Sequence, residues 1–229
     1  MSQVIELGWI PVKQEYEELS STKSIKDLQS TQMANPDLLG HWEGLRGHGR
    51  LDDNPIKGLD LAIAWKSVDA AKAAKDSLEG REISKLWSDI VETNSHYGPV
   101  QPWFSYFLMD GDDFAKVAGA NIVLLSESYL PTDADTTAFY ERWKAITRSH
   151  HAERTVSTGH VAGVHGWSVS DTDHRGANHK VFMVVTGWES EEAMKSAVGG
   201  EKRARVEENL REFKIQQHEH VSRGLNRIK

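Results

Sequence analysis

The chain has 229 residues, 38% of them hydrophobic and 27% charged, enough for one large domain or two small ones with a real core. Its formal net charge of -7 disfavours nonspecific binding to nucleic acid or anionic membrane, since both repel it. Cysteine is absent, so disulfides, thiolate metal sites, iron–sulfur clusters and cysteine nucleophiles are excluded.

In chain order, Ile5 to Ile10 reads as a short strand closed by Pro11. A helix is expected within 23–39, strands near 45–50 and 59–66, a broken helix over 68–93 and a strand near 100–109. The series then recurs. Ile122 to Leu130 is a strand closed by Pro131, and the helix that follows, capped by Thr132 or Asp133, buries Phe139, Trp143 and Ile146. Strands follow at Val161–Val169 and Val181–Trp188, joined by a polar loop, Ser168 to Asn178. Ser190 caps a last helix that opens with Glu191 and Glu192, and Ile215–Val221 forms the closing strand.

The two series match at a nearly constant offset. Pro11 and Pro131 are 120 apart, His41 and His160 are 119 apart, and Trp65 and Trp188 are 123 apart. Ile83, Trp87 and Ile90 align with Val206, Leu210 and Phe213, each triplet at i, i+4 and i+7 on one helix stripe. The expected fold is therefore α+β: two tandem ferredoxin-like βαββαβ repeats, over 1–109 and 121–229, joined by 110–120. The helices of each unit cover one sheet face. The other face, expected to include Trp65 and Trp188, must pair with its copy, which closes the antiparallel sheets into a barrel.

Polar residues on these elements are the candidates for chemistry. In the last strand, alternation sends His218 and His220 to one face and Gln217 and Glu219 to the other. If the histidines face the barrel they can move protons near neutral pH; facing outward, they belong to a solvated edge strand. His165 shares a strand face with Trp167 and Gly163, either at a cavity wall or as a core histidine bonded to backbone. Glu127 lies on an apolar strand face with Val123, Leu125 and Tyr129, where burial raises a carboxyl pKa and makes it a base. Trp65, Tyr106, Trp167 and Trp188 are the aromatics expected to line a cavity for a flat ligand. His41 and His160 read as inherited architecture, His150-His151 as a helix-end cap, and Gly199-Gly200 as a turn. The basic residues at 202–214 alternate with acids, as on a solvated helix face. No third ligand stands at metal spacing beside the His-x-His pair, so no metal is expected.

Both halves carry a strand followed by Trp-x-Ser-x-(Asp/Glu)-Ala: Trp65-Lys66-Ser67-Val68-Asp69-Ala70 and Trp188-Glu189-Ser190-Glu191-Glu192-Ala193. This device, with its helix and a final polar strand, resembles the dimeric α+β barrel superfamily. That superfamily includes the antibiotic-biosynthesis monooxygenase-like, EthD-like and stress-responsive barrels. Single-chain two-repeat forms are similar to proteins of microbial secondary metabolism. Superfamily members include cofactor-free quinol monooxygenases, a cyclase that makes olivetolic acid and a plant hydroxynitrile lyase. Haem-binding chlorite dismutase and aldoxime dehydratase also pair such units.

The resemblance implies a cofactor-independent enzyme that performs an acid/base cyclisation, isomerisation, dehydration or lyase step on a hydrophobic oxygenated intermediate. His165, His218 or His220 would be the base and Glu127 its partner. A cofactor-free phenol monooxygenase, a non-catalytic or stress-related binding barrel and a haem enzyme remain as alternatives. The expected partner is a small hydrophobic or aromatic molecule, with neither nucleic acid nor membrane. The expected assembly is a pseudo-two-fold monomer or a homodimer. Met1 to Glu6 carry no basic and apolar leader pattern, and no run approaches the ~18 apolar residues of a membrane span, so a cytoplasmic protein is expected.

Overall fold

The computed structural model describes residues 3–13, 27, 30–45, 57–95, 98–99, 101–153, 159–174, 176–198, 201–222 and 225–227. The first repeat comprises β1 (Gln3–Val12), β2 (Leu38–Leu45), β3 (Lys57–Trp65), α1 (Val68–Asp76) and α2 (Leu78–Ile90). A small hairpin of β4 (Asn94–Ser95) and β5 (Gly98–Pro99) leads to β6 (Trp103–Gly111). After the short α3 (Phe114–Ala118), the second repeat comprises β7 (Ile122–Pro131), α4 (Thr136–Glu153), β8 (His160–Ser168), β9 (Thr172–His174) and β10 (Ala177–Trp188). It continues with α5 (Glu191–Val198), α6 (Glu201–Leu210), β11 (Gln216–Ser222) and the two-residue β12 (Asn226–Arg227).

The strands run in the order β11-β7-β10-β8-β6-β1-β3-β2-β12. Each half therefore places its first and third strands centrally and its second and fourth at the edges, which is the ferredoxin-like arrangement. The halves join where β6 pairs with β8, from Phe107↔Ser168 to Gly111↔Val164. After β11 the chain crosses to the far edge, where β12 pairs with β2 through Asn226↔Glu43 and Arg227↔Trp42. That crossing ties the last strand of the second repeat to the outer edge of the first, and residues of both repeats, with Leu225 from the crossing, share one inner core. Among the described residues β11 pairs only with β7, so the seven-residue Gln216–Ser222 strand remains at one edge of the sheet.

Alternation sorts the strand residues between two buried faces. Ile5 and Leu7 of β1, Phe107 and Met109 of β6, Val123 and Leu125 of β7, and Val181, Met183 and Val185 of β10 share one core inside the barrel. The opposite face lies beneath the helices. There Leu59, Leu61 and Ile90 pack together in the first repeat, and Leu130, Phe139, Phe182 and Leu210 in the second.

Trp65 and Trp188 belong to this helix-facing side. Trp65 packs with Leu38, Ile63 and Ala71, and Trp188 with Ile122, Leu124 and Met194. The expectation that they face the barrel is corrected, because both sheet faces are apolar and periodicity alone does not say which is inner. Tyr106 and Trp167 also face the helices.

Local signals account for most boundaries. Ser67 Oγ accepts from Ala70 N at 3.1 Å and Ser190 Oγ from Ala193 N at 3.2 Å, so the matched serines do cap the helices. Asp135, rather than Thr132 or Asp133, caps α4, its Oδ1 accepting from Thr137 N and Ala138 N at 3.0 and 2.9 Å. Residues 131–134 first complete a turn, closed by Ala134 N to Pro131 O at 3.0 Å.

The second strand of the first repeat lies earlier than expected, at 38–45, with His41 inside it. Both second strands start at an irregular pairing, where Trp65 faces Leu38 and Trp188 faces His160. His41 instead faces Ile63, so His41 and His160 do not occupy matching positions. Within the expected loop 168–178, β9 pairs with β10. Of the helix expected within 23–39, residues 27 and 30–33 are helical, 38–39 already belong to β2, and 23–26 and 28–29 lie outside the described residues. Gly199-Gly200 and the side chains of His150-His151 also lie outside them. Among the described residues no helix is long and apolar enough to cross a membrane.

Gly166 sits opposite Met109 at the β6–β8 seam, and a Cβ there would collide with the Leu108 carbonyl oxygen. Gly166→Ala should therefore cost about 2–3 kcal/mol in urea unfolding. A cost within ~0.5 kcal/mol, typical of a neutral surface change, would show that the seam does not bind the halves this tightly.

Candidate active site

The sheet divides the predicted catalytic residues. Glu127 and His218 project into the barrel. Glu127 is 5% exposed, faces His218 across β7–β11, and accepts a 2.7 Å hydrogen bond from Tyr129 Oη. The Tyr129 ring stacks on His174 at 4.2 Å and meets the edge of His218 at 5.5 Å. His179 lies 6.0 Å from both Tyr129 and His174. None of these side chains lines either of the two cavities described below. The side chain of His220 lies outside the described residues. His174 and His179 carried no sequence signal, because the first belongs to the segment read as loop and the second lies between that loop and the strand expected from Val181.

His165 stands on the other side of the sheet. It is half-buried and faces Val184 in β10 and Asp110 in β6. It lines a cavity of about 490 Å³ between the second repeat's sheet and its helices. Leu124, Val184 and Trp188 floor this space, Trp143, Ile146 and Val206 roof it, and Gln217 and Glu219 of β11 edge it. Those two are the residues that alternation sends opposite to the last-strand histidines.

Tyr140 Oη lies 3.0 Å from His165 Nε2. Trp143 leans over the same imidazole, with ring centroids 4.7 Å apart. Lys144 sits 4.7 Å above the Tyr140 ring and is paired with Glu141 at 2.6 Å. His165 Nδ1 makes no hydrogen bond among the described residues. Burial pushes the His165 pKa down; Asp110 draws it back up and Lys144 adds to the lowering. The imidazole is therefore neutral at neutral pH, as a proton acceptor must be.

Sequence reasoning missed Tyr140 and Lys144. The signal was present: Tyr140, Trp143, Lys144 and Thr147 form a second stripe at i, i+3, i+4 and i+7 beside the core stripe of α4. Trp188 lines this cavity, whereas Trp167 packs against Phe139 and Phe182 beneath α4 and does not.

The first repeat holds the corresponding space, about 890 Å³ between its sheet and helices. Trp65 lines it, with Glu6, His41 and Trp87. Glu6 is 7% exposed and accepts from Trp65 Nε1 at 3.0 Å. Burial raises its pKa, opposed by Lys75, the Trp65 hydrogen bond and His41. Tyr106, opposite Glu6 in β6, is pushed up to about 12 by burial and by Glu6 and Asp76, so it remains a neutral phenol. Among the described residues no cluster of three or more His, Asp or Glu side chains could hold a metal ion.

No family model and no curated relative matches the sequence. Solved structures do match over nearly the whole chain. A candidate monooxygenase from Fusobacterium nucleatum aligns at TM-score 0.58 and 9% identity, covering 99% of this chain and 94% of that one. An anthrone oxidase-like protein aligns at 0.58 and 12%, covering 98% and 92%. A candidate monooxygenase from Lactobacillus acidophilus aligns at 0.56 and 10%, covering 100% and 95%. The strand order of the two ferredoxin-like units and these alignments agree on the fold. At these identities the likeness establishes the architecture of the barrel, and the chemistry has to be argued from its cavities.

Because the folded pKa of Glu6 is raised, its contribution to stability is present below the unfolded value and is lost as pH rises through the folded one. Glu6→Gln should therefore melt close to the parent near pH 4 and above it at pH 8. A melting difference that stays constant with pH would show that Glu6 is not held in this way.

Proposed function

We propose that the second-repeat cavity is the active site of an enzyme that abstracts a proton from a small, hydrophobic, oxygenated molecule without a bound cofactor. The observation that carries this reading is the His165–Tyr140 pair at the wall of a largely apolar cavity. Tyr140 fixes the imidazole through Nε2. When Nε2 carries the proton and donates it to the tyrosine oxygen, Nδ1 is left as the base. A proton acidified by a neighbouring carbonyl or aromatic ring passes to Nδ1, and Lys144 and His160, which also line the cavity, balance the developing oxyanion. Return of the proton to another atom completes an isomerisation, a cyclisation or an elimination. Exclusion of water strengthens each polar contact.

Glu127 and His218 have no direct part in this scheme, since the sheet separates them from His165. At His165, the Tyr140 hydroxyl 3.0 Å from Nε2 occupies the position that an axial haem bond through that nitrogen would need.

A second reading is favoured by the structural neighbours, described as monooxygenases and as anthrone oxidase-like. The same deprotonation makes an electron-rich carbanion or phenolate that dioxygen oxidises directly. For anthrone, the methylene becomes a carbonyl and one oxygen atom leaves as water.

The proton step is tested with 2-tetralone in D2O, following loss of its C1 protons by NMR, and the oxidation with anthrone in an oxygen electrode. Exchange well above the buffer rate is expected, falling about 10²–10⁴-fold in His165→Phe and less in Tyr140→Phe. Its acid limb should lie below the ordinary histidine value of about 6.5, because burial lowers the His165 pKa. Exchange at the buffer rate, or a His165→Phe chain as fast as the parent, would sink the proposal. Oxygen uptake that requires His165 would select the second reading.

A further inference from the structure

The first-repeat cavity is not a worn copy of the second. Its polar groups differ in kind, and two of them flank a single strand residue. Glu6 of β1 and His41 of β2 both pair with Ile63 of the intervening β3, so they project on the same face to either side of it. Both line the cavity.

His41 is 1% exposed, and neither ring nitrogen makes a hydrogen bond among the described residues. Its Nε2 rests 3.1 Å from Glu43 Oε1 in an ion-pair contact that holds the ring in place. On the other side of Ile63, Glu6 uses Oε2 to accept from Trp65, while Oε1 makes no hydrogen bond among the described residues. His41 Nδ1 is left buried with neither a hydrogen bond nor an ion pair among the described residues, and folded proteins ordinarily satisfy such groups. Around them the walls are apolar and aromatic, with Ile10, Leu61, Ala71, Trp65, Trp87 and Phe104.

We propose that this cavity is a second ligand site, which binds an apolar aromatic molecule through one hydroxyl group that donates to Glu6 and accepts from His41. A hydroxyl is the smallest group that satisfies both residues at once, since it is both donor and acceptor. An aromatic ring suits the tryptophan and phenylalanine walls. A plain hydrocarbon would leave Glu6 and His41 as they are and gains nothing from them. The raised pKa of Glu6 agrees with a carboxyl group held in a dry cavity. The site is independent of the proton chemistry assigned to His165, which lies in the other repeat.

The Trp65 indole N–H, which donates to Glu6, is a built-in reporter. Its NMR resonance, assigned with Trp65→Phe, is followed while the full chain is titrated with 2-naphthol and, separately, with naphthalene. The signal should move saturably with 2-naphthol, and naphthalene should shift it only at about tenfold or more higher concentration. Glu6→Gln, which keeps side-chain size, should weaken the 2-naphthol effect by a similar factor, and His41→Gln provides a second route to the same loss. A Trp65 signal unmoved at the solubility limit of 2-naphthol would overturn the proposal. So would a response equal for naphthalene and 2-naphthol, or equal in the parent and in both variants. Because Trp65 reports only on the first repeat, these outcomes are independent of whether His165 proves catalytic.

Discussion

Each four-stranded sheet has to be covered on both of its faces, and the rest of the architecture depends on that requirement. The strands are apolar on alternate residues in both directions. Ile5, Leu7, Phe107 and Met109 look one way, and Ile63, Trp65, Leu59 and Leu61 the other. The helices of a repeat can shield only one of these faces. Exposing the other would forgo about 1.5–3 kcal/mol for each large side chain. The second repeat supplies the missing cover, and Val123, Leu125, Val181, Met183 and Val185 complete the same core. The β6–β8 pairing and the β12 crossover follow from it, since they hold the two inner faces in contact.

This division of labour also decides where ligands fit. The inner face carries a core drawn from both repeats, and beside it Tyr129 is bonded to Glu127 with three histidine rings packed around it. Beneath the helices the packing is less complete. Helix stripes meet the sheet along ridges, and space remains where a large side chain on one element faces a small one on the other. Ala71 and Gly163 line such spaces. Polar side chains reach them both from strand positions of helix-facing parity, such as Glu6, His41, His165, Gln217 and Glu219, and from the covering helices, such as Lys75 and Lys144.

Duplication preserved the scaffold more closely than the chemistry. Both repeats keep a serine cap after the tryptophan that ends the third strand, and an irregular pairing where the second strand begins. The groups presented to the two cavities differ: an imidazole held by a phenol in the second repeat, a carboxyl held by an indole beside an imidazole in the first. Backbone features are constrained by packing shared across the barrel. A side chain that points into a cavity is constrained by whatever occupies it, and is free to change when that occupant changes.

The sequence by itself determined the repeat, the α+β class, the serine caps and the parity of each strand. These are local properties, written in spacing, in capping chemistry and in alternation. Parity correctly grouped Glu127 with Tyr129, His165 with Trp167, and Gln217 with Glu219. What parity does not carry is which face is inside, because here both faces are buried and read alike. Only the tertiary structure decided that Trp65 and Trp188 lie under helices, that His218 looks into the barrel, and that Glu127 and His165 stand on opposite sides of the sheet. The His165–Tyr140 pair and the placement of Glu6 and His41 around Ile63 likewise join residues far apart in the chain. Their distances are set by how helices and strands dock, and no local pattern encodes that.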